Sequence, residues 1–473
     1  PTLTPAPSGE ICVGSSITYT TESGQSNYTW TVQGTQGTNY NITSGGLGSS
    51  SNTVTITWLT AGTKVVSINY SNANNCSAAS AVSSSVIVNP LPVPTFTSAP
   101  PSAVCVGTSV TYTTTTGQSN YIWTVPGVAG TDYNITSGGI GSSDNTVTLT
   151  WLTSGTKIVS INYTNANSCT AATATTNSTL VNALPTPTFT SPPPAQVCVG
   201  SPVTYTTQSG QSNYIWTIPG TAGTDYNITA GGIGTSSNTV TLRWLTAGTK
   251  AVSVNYRNAN NCTAASAVVN STIVNPLPTP TFTTAPPAQV CVGTSVTYST
   301  QSGQSNYTWT LPGTSGTDYT ITGGGIGPSS NSVTLTWLTA GSKNVSINYT
   351  NSNNCTAAAA VVNSTIVNAL PVPTFTTQPT SDVCVGTTVT YTTQSGQSNY
   401  VWSVPGVAGT DFTITAGGIG PFDNSVTLTW RSSGTKNVTV NYSNSNNCTA
   451  ASAVSNTLNV IALPTPSFTS APT

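Results

Sequence analysis

Histidine and methionine are absent from the 473 residues, and only 4% are charged, eight Lys and Arg against nine Asp and Glu, for a net charge of −1. Each shortage removes a class of function. Without histidine there is no side chain that ordinarily titrates near neutral pH, and no imidazole for a zinc site or a general base. Without a basic patch nothing holds nucleic acid or an anionic membrane surface. No apolar run approaches the ~20 residues that cross a bilayer as a helix, so direct membrane insertion is not expected. No stretch repeats its apolar residues at helical spacing. The surface is left to Thr, Ser and Asn, and should respond weakly to salt.

What the chain does have is a period. The stretch Cys105 to Gly127, CVGTSVTYTTTTGQSNYIWTVPG, recurs five times with small changes. Its first cysteine falls at Cys12, Cys105, Cys198, Cys291 and Cys384, each step being 93 residues (105 − 12). A second cysteine keeps the same step at Cys76, Cys169, Cys262, Cys355 and Cys448. So do two tryptophans: Trp30, Trp123, Trp216, Trp309 and Trp402, then Trp58, Trp151, Trp244, Trp337 and Trp430. No copy gains or loses a residue between these landmarks, which marks a tandem array. The expected units are 1–89, 90–182, 183–275, 276–368 and 369–461, with 462–473 opening a further one. Each is long enough to bury its own small core. The expectation is an excerpt from a longer array, with any export signal and anchor outside it.

The second unit serves as the example. Pro90 to Cys105 is proline-rich and reads as an edge strand, with Phe96 as its plug for the core. Val110-Thr-Tyr-Thr alternates as a half-buried strand does, Gly117-Gln-Ser-Asn turns the chain, and Tyr121, Trp123 and Val125 then share one face. Asp132 to Thr136 is a short strand ending in the Gly-Gly-Ile-Gly turn at Gly138 to Gly141. Val147, Leu149 and Trp151 form the next inward face, then Val159, Ile161 and Tyr163; Asn165-Ala-Asn-Ser turns beside Cys169, and a last strand ends at Leu180-Val181. Seven short alternating strands predict an all-β fold, an antiparallel sandwich of immunoglobulin-like type repeated five times. Its tryptophans alternate in phase with Val125 and Leu149, so they are expected in the core. The linkers NPLPVPT, NALPTPT, NPLPTPT and NALPVPT are short and proline-stiffened. They predict a stiff rod, with units of about 35–40 Å and a total on the order of 200 Å.

Ten cysteines, two to a unit and never as a close CxxC pair, predict disulfides and an oxidising, extracellular compartment. In a sandwich of this topology the first cysteine lies at the turn into the second strand and the second lies beyond the sixth, at the opposite pole. A strand of about eight residues separates those poles by roughly 25 Å, whereas bridged Cα atoms lie within about 7 Å. The favoured pairs therefore join neighbours: Cys12–Cys169, Cys105–Cys262, Cys198–Cys355 and Cys291–Cys448. Cys76 and Cys384 would pair with units beyond these. An intradomain Cys105–Cys169 bridge is the rival.

No catalytic, metal or cofactor-binding residue is expected. One acidic position recurs, Asp132, Asp225, Asp318 and Asp411, with Asn39 in the first unit. A single carboxylate per unit makes neither a glycosidase pair nor a calcium cage, and reads as a turn residue capping backbone amides. Lys64, Lys157, Lys250, Lys343 and Lys436 recur too, and read as solvated turn lysines rather than partners in a Lys–Asn crosslink. The glycine doublets lack a P-loop lysine and a following helix. Triplets such as Asn134-Ile-Thr become glycan sites only in a eukaryotic source. A binding alternative remains, in which exposed Tyr or Thr of turns such as Gln118-Ser-Asn-Tyr hold a carbohydrate.

The motifs C-V-G-T-x-V-T-Y-T, S-N-Y-x-W-T-V-P-G, G-G-I-G, N-x-V-T-L-T-W and N-x-N-x-C-T-A together resemble the PKD-like, immunoglobulin-like repeats of giant cell-surface adhesins in Bacteroidota, including those of gliding cells. The resemblance covers all five units. It implies type IX secretion, attachment at the outer membrane and a role in adhesion and gliding motility. Its implied partners are neighbouring repeats of the same chain, surface polysaccharide, and the outer-membrane motility and secretion machinery.

Overall fold

A computed structural model describes residues 1–4, 9–467 and 469. Every regular element among them is a β-strand. The second repeat holds eight: β1 (Phe96–Ser98), β2 (Ala103–Cys105), β3 (Ser109–Thr114), β4 (Ser119–Thr124), β5 (Tyr133–Gly138), β6 (Thr146–Trp151), β7 (Gly155–Thr164) and β8 (Thr175–Asn182). They form two four-stranded sheets, in the orders β5-β6-β3-β1 and β4-β7-β8-β2. All pairings are antiparallel except β8 with β2, where Asn182 faces Cys105 in parallel register. This is the immunoglobulin-like sandwich.

The expected seven strands become eight because the edge segment serves both sheets. Phe96–Ser98 pairs with β3, whereas Ala103–Cys105 pairs with β8. Pro100 and Pro101 lie between them and cannot donate to a ladder, so pairing stops and the chain crosses to the other sheet. Repeats three to five have the same two sheets. The first repeat has a four-stranded and a three-stranded sheet, with an isolated Thr4–Thr20 bridge in place of the first strand. Of the tail expected to open a further repeat, residue 468 and residues 470–473 lie outside those described.

Alternation fixes what is buried. Val147, Leu149 and Trp151 on β6, and Val159 and Ile161 on β7, are wholly buried, while the Thr residues between them on β6 are only partly so. Phe96 plugs the open edge, its ring 6.0 Å from that of Tyr112 and 6.2 Å from that of Trp123. Trp58, Trp151, Trp244, Trp337 and Trp430 are 0% exposed; Trp30, Trp123, Trp216, Trp309 and Trp402 are 7–8% exposed. Each fully buried large apolar side chain contributes on the order of 1.5–3 kcal/mol. Outside, Thr111 and Thr148 hydroxyls pair across strands at 2.9 Å, so the sheet face meets its own hydrogen-bonding needs.

Candidate functional site: the junction between repeats

Residues that recur without serving the core gather at the ends of the sandwich. Asn165 follows β7 and organises the turn to β8. Its Oδ1 accepts the backbone N–H groups of Asn167 and Cys169, both at 3.0 Å, which closes the turn and presents the cysteine. Ser168, just before that cysteine, takes φ +61°, as do Asn75, Asn261, Asn354 and Asn447 at similar angles in the other repeats. Asn165 Nδ2 is then free to donate to the carbonyl of Pro90, the first residue after the last strand of the preceding repeat, at 3.2 Å. Three residues on, the Tyr163 hydroxyl donates to the carbonyl of Val93 at 3.3 Å. Asn258, Asn351 and Asn444 hold Ala183, Pro276 and Ala369 in the same way.

The other side of the junction is equally held. Val106 N–H donates to the Asn182 carbonyl at 3.0 Å, and in the first repeat Asn89 Nδ2 donates to Glu10 Oε2 at 2.6 Å. Asn89 is therefore paired within the first sandwich, and the carbonyl of Pro90 is held by Asn165 of the next. No free residue stands between them, and the proline φ of about −65° stiffens the rest of the linker.

A second covalent tie runs beside the linker. The structure joins Cys12 to Cys169, Cys105 to Cys262, Cys198 to Cys355 and Cys291 to Cys448, with Cα atoms 5.5–5.6 Å apart. Cys105 ends β2 at the pole where β8 finishes; Cys169 stands beyond β7 at the opposite pole, so each bridge spans a junction. Cys169, Cys262, Cys355 and Cys448 are fully buried, while Cys76 and Cys384 are free and exposed. An open cleft of about 700 Å³ flanks the Cys198–Cys355 bridge, walled by both apolar and polar groups, among them Ala195, Val197, Gln196 and Asn353. Disulfides of this kind persist in oxidising, extracellular surroundings.

The recurrent lysine is not where the sequence put it, while the recurrent aspartate caps a turn as its sequence suggests. Lys64, Lys343 and Lys436 are only 8–9% exposed, not solvated. Lys157 lays its stem into the sandwich, its Nζ 5.4 Å from the centre of the Trp151 ring and 2.8 Å from Thr153 Oγ1. Turn sequence alone hid this, because a long stem can lie on an aromatic face while its head stays polar. Thr153 in turn donates to Asp132 Oδ1 at 3.0 Å, and Asp132 Oδ2 accepts the Val128 N–H at 2.9 Å. The carboxylate thus caps a turn and ends a Trp–Lys–Thr–Asp chain. Those hydrogen bonds, the backbone one foremost, hold it below the usual carboxylate range. Gly127 must be glycine here: at φ +93° a Cβ would sit 2.6 Å from the Asp132 side chain.

The carbohydrate alternative loses its tyrosine. Tyr121 is 4% exposed, its hydroxyl accepting from Gln118 N–H at 3.1 Å and donating to the Thr115 carbonyl at 2.8 Å. Its ring points inward on the same face as Trp123, two residues on, in a strand whose register shifts between Ser119 and Ile122 where Asn120 takes φ +50°. Among the described residues, no three His, Cys, Asp or Glu side chains gather where they could hold a metal.

No family model matches the chain, and no curated protein does. Solved structures with tandem immunoglobulin domains do. The N-terminal eight Ig domains of Down syndrome cell adhesion molecule align at 13% identity and TM-score 0.29, over 98% of this chain and 60% of that one. The titin I-band fragment I67–I69 aligns at 14% and 0.33, over 59% and 99%. Invasin, a bacterial integrin-binding protein, aligns at 14% and 0.25, over 78% and 79%. The chain thus spans three-fifths of the first of these. At such scores the likeness bears on neither ligand nor activity.

Proposed function

We propose that the chain is a segment of the stalk of a large secreted cell-surface adhesin, in which each of the five units delimited above is one structural module. The supporting observation is the double tie at every junction: a linker clamped from its first residue, and a disulfide beside it. A spacer that carries contacts away from a cell needs such a joint to hold its direction. Near-identical modules also multiply any weak surface contact. The resemblance to adhesins of the SprB gliding type supports attachment at the outer membrane, type IX secretion and a role in gliding, with surface polysaccharide and the motility machinery as partners. Cys76 and Cys384 are the unused halves of further junctions, and pair with flanking repeats.

Small-angle scattering of the oxidised 473-residue chain tests the stalk. The expected profile is a rod one sandwich wide, with a maximum dimension on the order of 200 Å. A profile of freely jointed beads overturns the reading. Alkylation without reductant should add two groups, at Cys76 and Cys384 only; a modified Cys169 or Cys198 would break the ladder scheme.

A further inference from the structure

The bridges change which residues carry tension. A pull along an unbridged array runs through every residue. Here it runs along the shortest covalent route, and the bridges shorten that route drastically. Cys169 and Cys198 are 29 residues apart (198 − 169), across the turn to β8, β8, the linker and the edge strands of the next repeat. Cys105 and Cys169 are 64 apart (169 − 105), across β3 to β7 and most of the core. From Cys12 the route passes to Cys169, along one 29-residue segment to Cys198, across to Cys355, and along another to Cys384. That is 58 residues, against 372 along the backbone (384 − 12).

At about 3.5 Å per extended residue the bridged route reaches ~200 Å and the backbone ~1,300 Å. Four folded repeats laid end to end occupy ~160 Å. We infer that the span from Cys12 to Cys384 is covalently inextensible: even if every hydrogen bond broke, it could lengthen by only about a quarter, and reduction of the bridges would release roughly eightfold extension. Between Cys12 and Cys384 this route bypasses the core strands β3 to β7 of every repeat, and the redox state of the four bridges decides whether the chain can unspool. The inference goes beyond the stalk reading and depends on connectivity alone, not on what the array carries.

The ladder is also redundant. From Pro1 to Thr473 the shortest route uses segments of 11, 29, 64 and 25 residues, 129 in all, against 472 along the backbone (473 − 1). A second route of equal length runs through Cys105–Cys262 instead of Cys198–Cys355. Losing either inner bridge alone therefore changes nothing, and losing both adds 29 residues.

Single-molecule pulling of the full chain from its two ends, with Cys76 and Cys384 alkylated, tests this. The oxidised chain should stop lengthening near ~450 Å, and the reduced chain near ~1,650 Å. Cys198→Ser should keep the ~450 Å limit, and Cys105→Ser with Cys198→Ser should add ~100 Å. An oxidised chain that lengthens past ~450 Å, or that releases central repeats whole in steps of ~300 Å, overturns the inference. Rod-like scattering with free unspooling would keep the stalk and sink this inference; flexible beads with a capped length would do the reverse.

Discussion

Lys157 Nζ stands 5.4 Å from the centre of the Trp151 ring, and the same pair recurs at 5.3–6.0 Å in the other four repeats. Every lysine in the chain is in this position. Each ammonium meets a ring face and a hydroxyl, with a carboxylate one hydrogen bond further on except in the first repeat. Amine-reactive esters should therefore label the native lysines far more slowly than those of the urea-unfolded chain. Equal rates would show that the side chains swing free. Lys157→Ala should destabilise its repeat by about 1 kcal/mol, read by calorimetry.

Asn165 performs three tasks with one side chain: it closes its turn, orients Cys169 and clamps Pro90. Asn165→Ala should cost its repeat about 1–2 kcal/mol and broaden the scattering profile at that junction. Asn165→Asp keeps the acceptor and loses the donor to Pro90, so it should broaden the profile while leaving the turn closed. If neither variant alters the scattering, the linker is held by something else.

Ser168 occupies a left-handed position, φ +61°, that the other four repeats give to asparagine. Asparagine tolerates that region better than serine. Ser168→Asn should raise the melting temperature of the second repeat, with a gain of a few tenths of a kcal/mol up to about 1. A loss of stability would mean that the turn relaxes differently from the others.

Stability should be flat across neutral pH and fall at both extremes. Asp132, Asp225, Asp318 and Asp411 are held below the ordinary range, first by the backbone N–H each accepts, then by a hydroxyl and the nearby lysine. A depressed folded value gives stability that is present above the unfolded value of ~3.9 and is lost as pH falls through the folded one. Burial raises Tyr112, Tyr205 and Tyr391, the last to about 12. A raised folded value gives stability present below the unfolded ~10 and lost as pH climbs through the folded one. Melting temperatures from pH 3 to 12 check this, and a transition between pH 6 and 8 would contradict it.

The fold was legible because alternation is a local signal. Val147, Leu149 and Trp151 name their own face, and the 93-residue period repeats the message five times. The split edge was not legible: Phe96 and Val104 both look like edge residues, and only the second sheet shows that they pair with different partners. The junction was half legible. Asn165 recurs at every period, yet turn chemistry alone accounts for an asparagine there, so its grip on the Pro90 carbonyl left no separate trace. Lys157 misled for a related reason: it follows a Gly-Thr turn, and its burial depends on Trp151, which is distant in the fold's logic though near in the chain. The inward ring of Tyr121 follows from its alternation with Trp123, which the turn reading of Gln118-Ser-Asn-Tyr set aside.

The two cysteines of a repeat face opposite poles, so no repeat can seal itself. Its second cysteine closes on the repeat before it and its first on the repeat after it. Covalent closure is therefore a property of neighbouring pairs, like the teeth of a zip, and each bridge requires two folded sandwiches.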